Sequence, residues 1–161
     1  MPTPDLERVR LYVTGLHDPE LGAMHGPPHW RRVERHGRRL AIQTGADLTV
    51  VCLFAWFHDA YRRDNGDDPA HGRRAAKALV ALHGDLFHLT TAALEQLRYA
   101  CAHHTDGQVH TDVTIGTCWD ADRLDLGRVG IVPAPELLST AAAKRYAASG
   151  RVHDRDKKRG A

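Results

Sequence analysis

Val50-Val51-Cys52-Leu53-Phe54-Ala55-Trp56-Phe57 is the most apolar run of the chain, and His58-Asp59 follows it at once. No stretch of the sequence alternates as a half-buried strand does, and the segments around this run carry helical spacing. The run therefore reads as the middle of a helix over residues 47–61 in an all-α chain. A histidine and a carboxylate rarely close a buried run without a partner, because burying an unpaired charge costs several kcal/mol. A metal ion is one such partner: it fixes the neutral imidazole and keeps the carboxylate ionised.

Working outward, a first helix is expected over residues 4–14 and a loop over residues 15–28. Pro28 suits the first turn of a second helix running to Thr44, with Gly45 as its stop. After the polar loop 62–68, Asp68-Pro69 reads as an N-cap and a first-turn proline, opening a fourth helix to about His83. A fifth is expected over residues 90–104, a sixth over 112–126, and a last one after Pro133-Ala134-Pro135, running to about Ala148. The sum is a single-domain helical bundle of about six to seven helices over residues 1–150. Residues 151–161 read as a charged, disordered tail.

Composition narrows the function classes. The chain has 161 residues, 42% of them hydrophobic and 26% charged, and a formal net charge of +2. That suits one ordinary globular core. The balance is too even to indicate a nucleic-acid partner. The longest apolar run is far short of a membrane span. The first residues lack the basic-then-apolar pattern of a signal peptide. A cytoplasmic location is expected, with the three cysteines (Cys52, Cys101 and Cys118) as buried thiols. Oligomeric state is not written in the composition.

Twelve histidines is the unusual count, and their spacing gives it meaning. Residues three or four apart share a helix face. His29 continues the stripe Val33, Gly37, Leu40. His58 continues Leu48, Val51, Ala55. His71 opens Ala75, Leu79, Leu82. His104 closes Leu94, Leu97, Cys101, and Asp122 follows Ile115 and Cys118. Five helices thus each turn a ligand-type group inward, and one shared site inside a bundle accounts for all five. His25, in the loop before the second helix, is intermediate. His17, His36, His83, His88, His110 and His153 read as solvated or locally bonded.

The ordered set His29, His58-Asp59 and Asp122, with its flanks His29-Trp30-Arg31-Arg32-Val33 and Ala121-Asp122-Arg123-Leu124, resembles the HD-domain metal-dependent phosphohydrolase superfamily over residues 25–130. His71-Gly72 and His103-His104 are similar to the additional histidines of its binuclear members, such as diadenosine tetraphosphate hydrolases and cyclic-di-GMP phosphodiesterases. The resemblance implies one or two divalent transition-metal ions, iron or manganese foremost. The first would be held by His29, His58, Asp59 and Asp122. The second would be held by Asp59, His71 and His104, with His103 as a further candidate. Asp59 would bridge the two as the central catalytic carboxylate. The chain departs from the cyclic-di-GMP enzymes, whose Gly-Tyr-Pro signature is replaced by Asp106-Gly107-Gln108-Val109. The acid that mononuclear members carry shortly after the His-Asp pair is also missing, since Arg62 stands three residues on.

The resemblance implies a hydrolase cleaving a phosphate ester or anhydride of a nucleotide or small metabolite. Metal-acidified water would attack phosphorus, and charge neutralisation would supply most of the acceleration. Arg62, Arg63, Arg123 and Arg128 are the candidates for gripping phosphate oxygens with their forked donors. Arg123 could instead pair with Asp120 or Asp125. Trp30 and Trp119 adjoin candidate ligands and could stack on a base, with core packing the expected role of both. Two alternatives stand beside the hydrolase: a mixed-valence diiron oxygenase of the same superfamily, and a non-catalytic metal-binding or sensory module.

Overall fold

The computed structural model describes residues 4–150, so the charged stretch 151–161 lies outside the described residues. Among the described residues seven α-helices form: α1 Leu6–Leu16, α2 Pro27–Thr44, α3 Leu48–Phe57, α4 His71–Leu82, α5 Thr91–His103, α6 Val113–Leu124 and α7 Ala141–Ala148. Short 3-10 turns lie at Pro19–Leu21, Asp125–Val129 and Pro135–Leu137. No strand occurs among the described residues. The expected all-α, single-domain bundle is what forms.

The apolar run sits at the centre. Every residue from Val50 to Ala60 is buried, and α1, α2, α5 and α6 all pack against α3. A helix apolar on all sides has no solvent face to offer and must be the middle of its bundle. Asp47 caps it, accepting from the backbone N–H groups of Thr49 and Val50. Close packing depends on glycine at two crossings. A Cβ on Gly37 of α2 would lie 2.5 Å from Val51 Cγ1 of α3, and one on Gly72 of α4 would lie 2.2 Å from the Cys101 carbonyl of α5. All three cysteines are free and buried, as the sequence suggested.

Some helix ends differ from expectation. α3 stops at Phe57, and residues 58–61 form turns with i→i+3 bonds, Ala60 to Phe57 and Arg62 to Asp59. Asp68 does not cap α4, which begins two residues after Pro69 with Ala70 in the cap position. The Asp68 carboxylate accepts instead from the Arg63 backbone and the Arg74 guanidinium, a charged donor that outcompetes a helix end. α7 starts only at Ala141, because Thr140 supplies the cap and the stretch after Pro135 closes as a 3-10 turn.

Candidate metal centre

α2, α3, α4, α5 and α6 each place one side chain, or two in the case of the α3 end, at a common point. His29 lies in the first turn of α2, His58 and Asp59 just past α3, His71 at the first residue of α4, His104 just past α5, and Asp122 in the last turn of α6. Helix ends converge here, so short side chains reach one another without leaving the core. All four histidines and Asp59 are buried.

Two groups of donors share Asp59. In the first, His29 Nε2 is 3.1 Å from His58 Nε2, 3.3 Å from Asp122 Oδ1 and 3.6 Å from Asp59 Oδ2, and His58 Nε2 is 3.5 Å from Asp122 Oδ1. In the second, His71 Nε2 is 3.0 Å from both Asp59 Oδ1 and His104 Nε2, and His104 Nε2 is 3.6 Å from Asp59 Oδ1. Nitrogen and oxygen donors about 2.1 Å from one divalent ion stand roughly 3.0–3.5 Å from each other. These buried groups could hold a metal ion. Asp59 turns one carboxylate oxygen to each group.

Proton placement sharpens the point. His58 Nδ1 faces the carbonyls of Phe54 and Ala55, each at 3.1 Å, and His104 Nδ1 faces that of Cys101 at 2.8 Å. His71 Nδ1 faces the carbonyl of Asp68. A carbonyl only accepts, so each of these Nδ1 atoms carries a proton, which leaves Nε2 as the atom that can turn a lone pair inward to a metal ion. His29 Nδ1 donates to Asp125 Oδ2 at 2.6 Å in the same sense. Four inward lone pairs and two carboxylates at 3–4 Å repel one another unless positive charge lies among them. His29 registers that demand. Burial opposes its protonation, but the Asp122 and Asp125 carboxylates prevail and raise its pKa to about 9. Asp59 and Asp122 lie well below the usual carboxylate range, because the facing histidines outweigh burial.

A pocket of 130 Å³ opens beside these donors, and His25, Arg62, Arg123 and Arg128 line it together with Asp59 and Asp122. Arg62 is held by Asp59 Oδ1 at 3.1 Å and by the Asp64 carbonyl at 3.1 Å. Arg123 donates Nη1 to the Leu137 carbonyl at 2.6 Å, and Arg128 donates Nη1 to the Asp125 carbonyl at 3.0 Å. Arg123 Nη2 and Arg128 Nε are buried without a hydrogen-bond partner, a state that costs about 1–3 kcal/mol per group unless a ligand relieves it. The Arg123 ion pair weighed from sequence does not form. Asp120 accepts from Ser139 and Thr140, and Asp125 is occupied by His29, Arg32 and Arg128. Trp30 and Trp119 are both in the core.

Two candidates lie elsewhere. Arg63 is exposed and gives its backbone N–H to Asp68. His103 turns away to Asp106 at 2.7 Å and packs on Tyr99. His83 and His110 are locally bonded, to Leu89 and to the Asp112 backbone. Two residues gain a place that the sequence reading did not give them. His25 Nδ1 lies 3.0 Å from Asp59 Oδ2. Asp125, 2% exposed, joins His29 to Arg32 and Arg128. Its position three residues after Asp122 was the available signal. Comparisons with family models, with curated proteins and with solved structures find no match for this chain.

Proposed function

We propose that the protein is a metal-dependent phosphohydrolase that cleaves a phosphate ester or anhydride of a small molecule, as its resemblance to HD-domain enzymes implies. The observation that carries this reading is the set of inward Nε2 lone pairs and carboxylates, shared through Asp59, next to a pocket edged by arginines. Imidazole and carboxylate donors without thiolate suit iron or manganese. Bound divalent ions would supply acidified water and neutralise charge at phosphorus.

The chain's own residues supply the remaining work. Asp125 and the backbone carbonyls at Phe54, Asp68 and Cys101 orient the four imidazoles. Arg62 donates to Asp59 Oδ1 and fixes this carboxylate between the two donor groups. Arg123 and Arg128, which line the pocket, would offer N–H groups to phosphoryl oxygens as preorganised donors.

The test is metal content per chain, by elemental analysis of protein purified without added metal or chelator, joined to turnover on phosphate esters. About two transition-metal ions are expected from the two donor groups, with one lost in His71→Ala. His58→Ala with Asp59→Ala should abolish metal and turnover while helical circular dichroism persists. Full turnover in that double variant, or substrate-dependent oxygen consumption in place of hydrolysis, would overturn the reading.

A further inference from the structure

The pocket beside the donor groups is specific about what it can hold, and this inference rests on the hydrolase reading above. Its volume is 130 Å³. Sites for drug-sized ligands run to roughly 300–1,000 Å³, so this half-open pocket is scaled to one small tetrahedral anion. Ten residues line it, and none of them is Phe, Tyr or Trp. The two tryptophans beside candidate ligands, Trp30 and Trp119, are sealed in the core at 0% and 1% exposure. The large aromatic faces that hold a base most strongly are therefore absent from the lining.

Two arginines of its lining carry donors that nothing else among the described residues uses. Four buried side-chain nitrogens among the described residues lack a hydrogen-bond partner, and two of them, Arg123 Nη2 and Arg128 Nε, belong to its lining. Both guanidinium groups are anchored through their other nitrogens, to Leu137 and to Asp125. They are fixed donors, not mobile surface charges, and oxyanion oxygens are the acceptors such forks fit.

We propose that this pocket takes a single terminal phosphoryl group, so that the substrate is a phosphomonoester recognised by its phosphate and not by a nucleobase. A monoester has one substituent to lead out through the pocket's open side, whereas a diester would have to lead two out past the same arginines and donor groups. In hydrolysis the water oxygen bonds to phosphorus, the ester P–O bond breaks, and a water proton ends on the departing alcohol oxygen.

The test uses the full chain loaded with manganese. Inorganic phosphate binding is followed by calorimetry, in the native protein and in Arg123→Gln and Arg128→Gln. One phosphate per chain is expected, with affinity falling by about tenfold or more in each variant as a charged hydrogen bond is lost, at unchanged metal content and helical circular dichroism. In parallel, 4-nitrophenyl phosphate, bis(4-nitrophenyl) phosphate, glycerol phosphate and adenosine monophosphate are compared. Turnover of the monoesters alone, with adenosine monophosphate not favoured over glycerol phosphate by more than about tenfold, supports the proposal. Comparable kcat/KM on the diester, strong preference for the nucleotide, or phosphate binding indifferent to both arginines would overturn it and leave the hydrolase reading standing. Failure to hydrolyse any of the four with metal bound would overturn both.

Discussion

Gly72 and Asp125 do not line the pocket, yet each positions a candidate ligand. A Cβ at Gly72 would also come 3.2 Å from the His104 ring, so the glycine sets how closely α4 brings His71 to its partner. Gly72→Ala should lower stability by about 1–3 kcal/mol through overpacking and weaken binding of one metal ion more than the other, checked by denaturant unfolding and by elemental analysis. Asp125 accepts the Nδ1 proton of His29. Asp125→Asn removes the charge that orients this ring and should weaken metal binding by about 10–100-fold, measured by chelator competition. Unchanged affinity would remove Asp125 from the site. The inward residues were legible because a polar group on an apolar helical stripe is conspicuous, and His29, His58, His71, His104 and Asp122 all stand on one. His25 was not, since it precedes its helix and no periodicity governs a loop. Arg63 was misleading for a related reason: adjacency to Arg62 in sequence says nothing about direction once the helix has ended at Phe57.

Helix ends account for most differences between expectation and structure, because several groups compete for each end. Thr140 caps α7 through the Ala143 backbone, but the segment before it is placed by α6. Asp120 accepts from Ser139 N at 2.6 Å, Thr140 N at 2.8 Å and Thr140 Oγ1 at 2.7 Å. Asp120 and Asp122 are two residues apart and so lie on opposite sides of α6. One secures α7 and the other joins the histidines, a division of labour that helical geometry makes readable from sequence. The contact between Asp120 and residues 139–140 was not readable, since no local pattern announces a partner 19 residues away. Asp120→Ala leaves two backbone N–H groups unpaired and should destabilise the protein by about 2–4 kcal/mol. Hydrogen exchange should quicken in α7 while metal content stays at the native value. Loss of metal in this variant would mean that α7 supports the site as well as the bundle.

Charge buried in the bundle makes its stability depend on pH in a way that metal should alter. His36 on α2 has its pKa lowered to about 4, because burial, with Arg35, Arg39 and Arg32 nearby, outweighs Asp125. Between about 4 and 6.5 the unfolded chain binds this proton more tightly, so stability falls as pH drops through that window. His29 acts oppositely. Raised to about 9, its stabilisation is complete below the unfolded value of about 6.5 and is lost as pH rises through 9. Each of these displacements is worth about 3 kcal/mol. The metal-free protein should therefore be most stable near pH 6.5 and weaken on both sides. A metal ion bound there would take over the positive charge that the His29 proton provides, and its binding would release that proton. Adding manganese should flatten the alkaline side, raise stability with metal concentration as mass action requires, and leave the acidic loss due to His36 in place. Urea unfolding at pH 5, 6.5, 8 and 9, with chelator and with manganese, separates the two arms. An alkaline loss that persists with metal bound would mean that no cation replaces the proton among the His29, His58 and Asp122 donors.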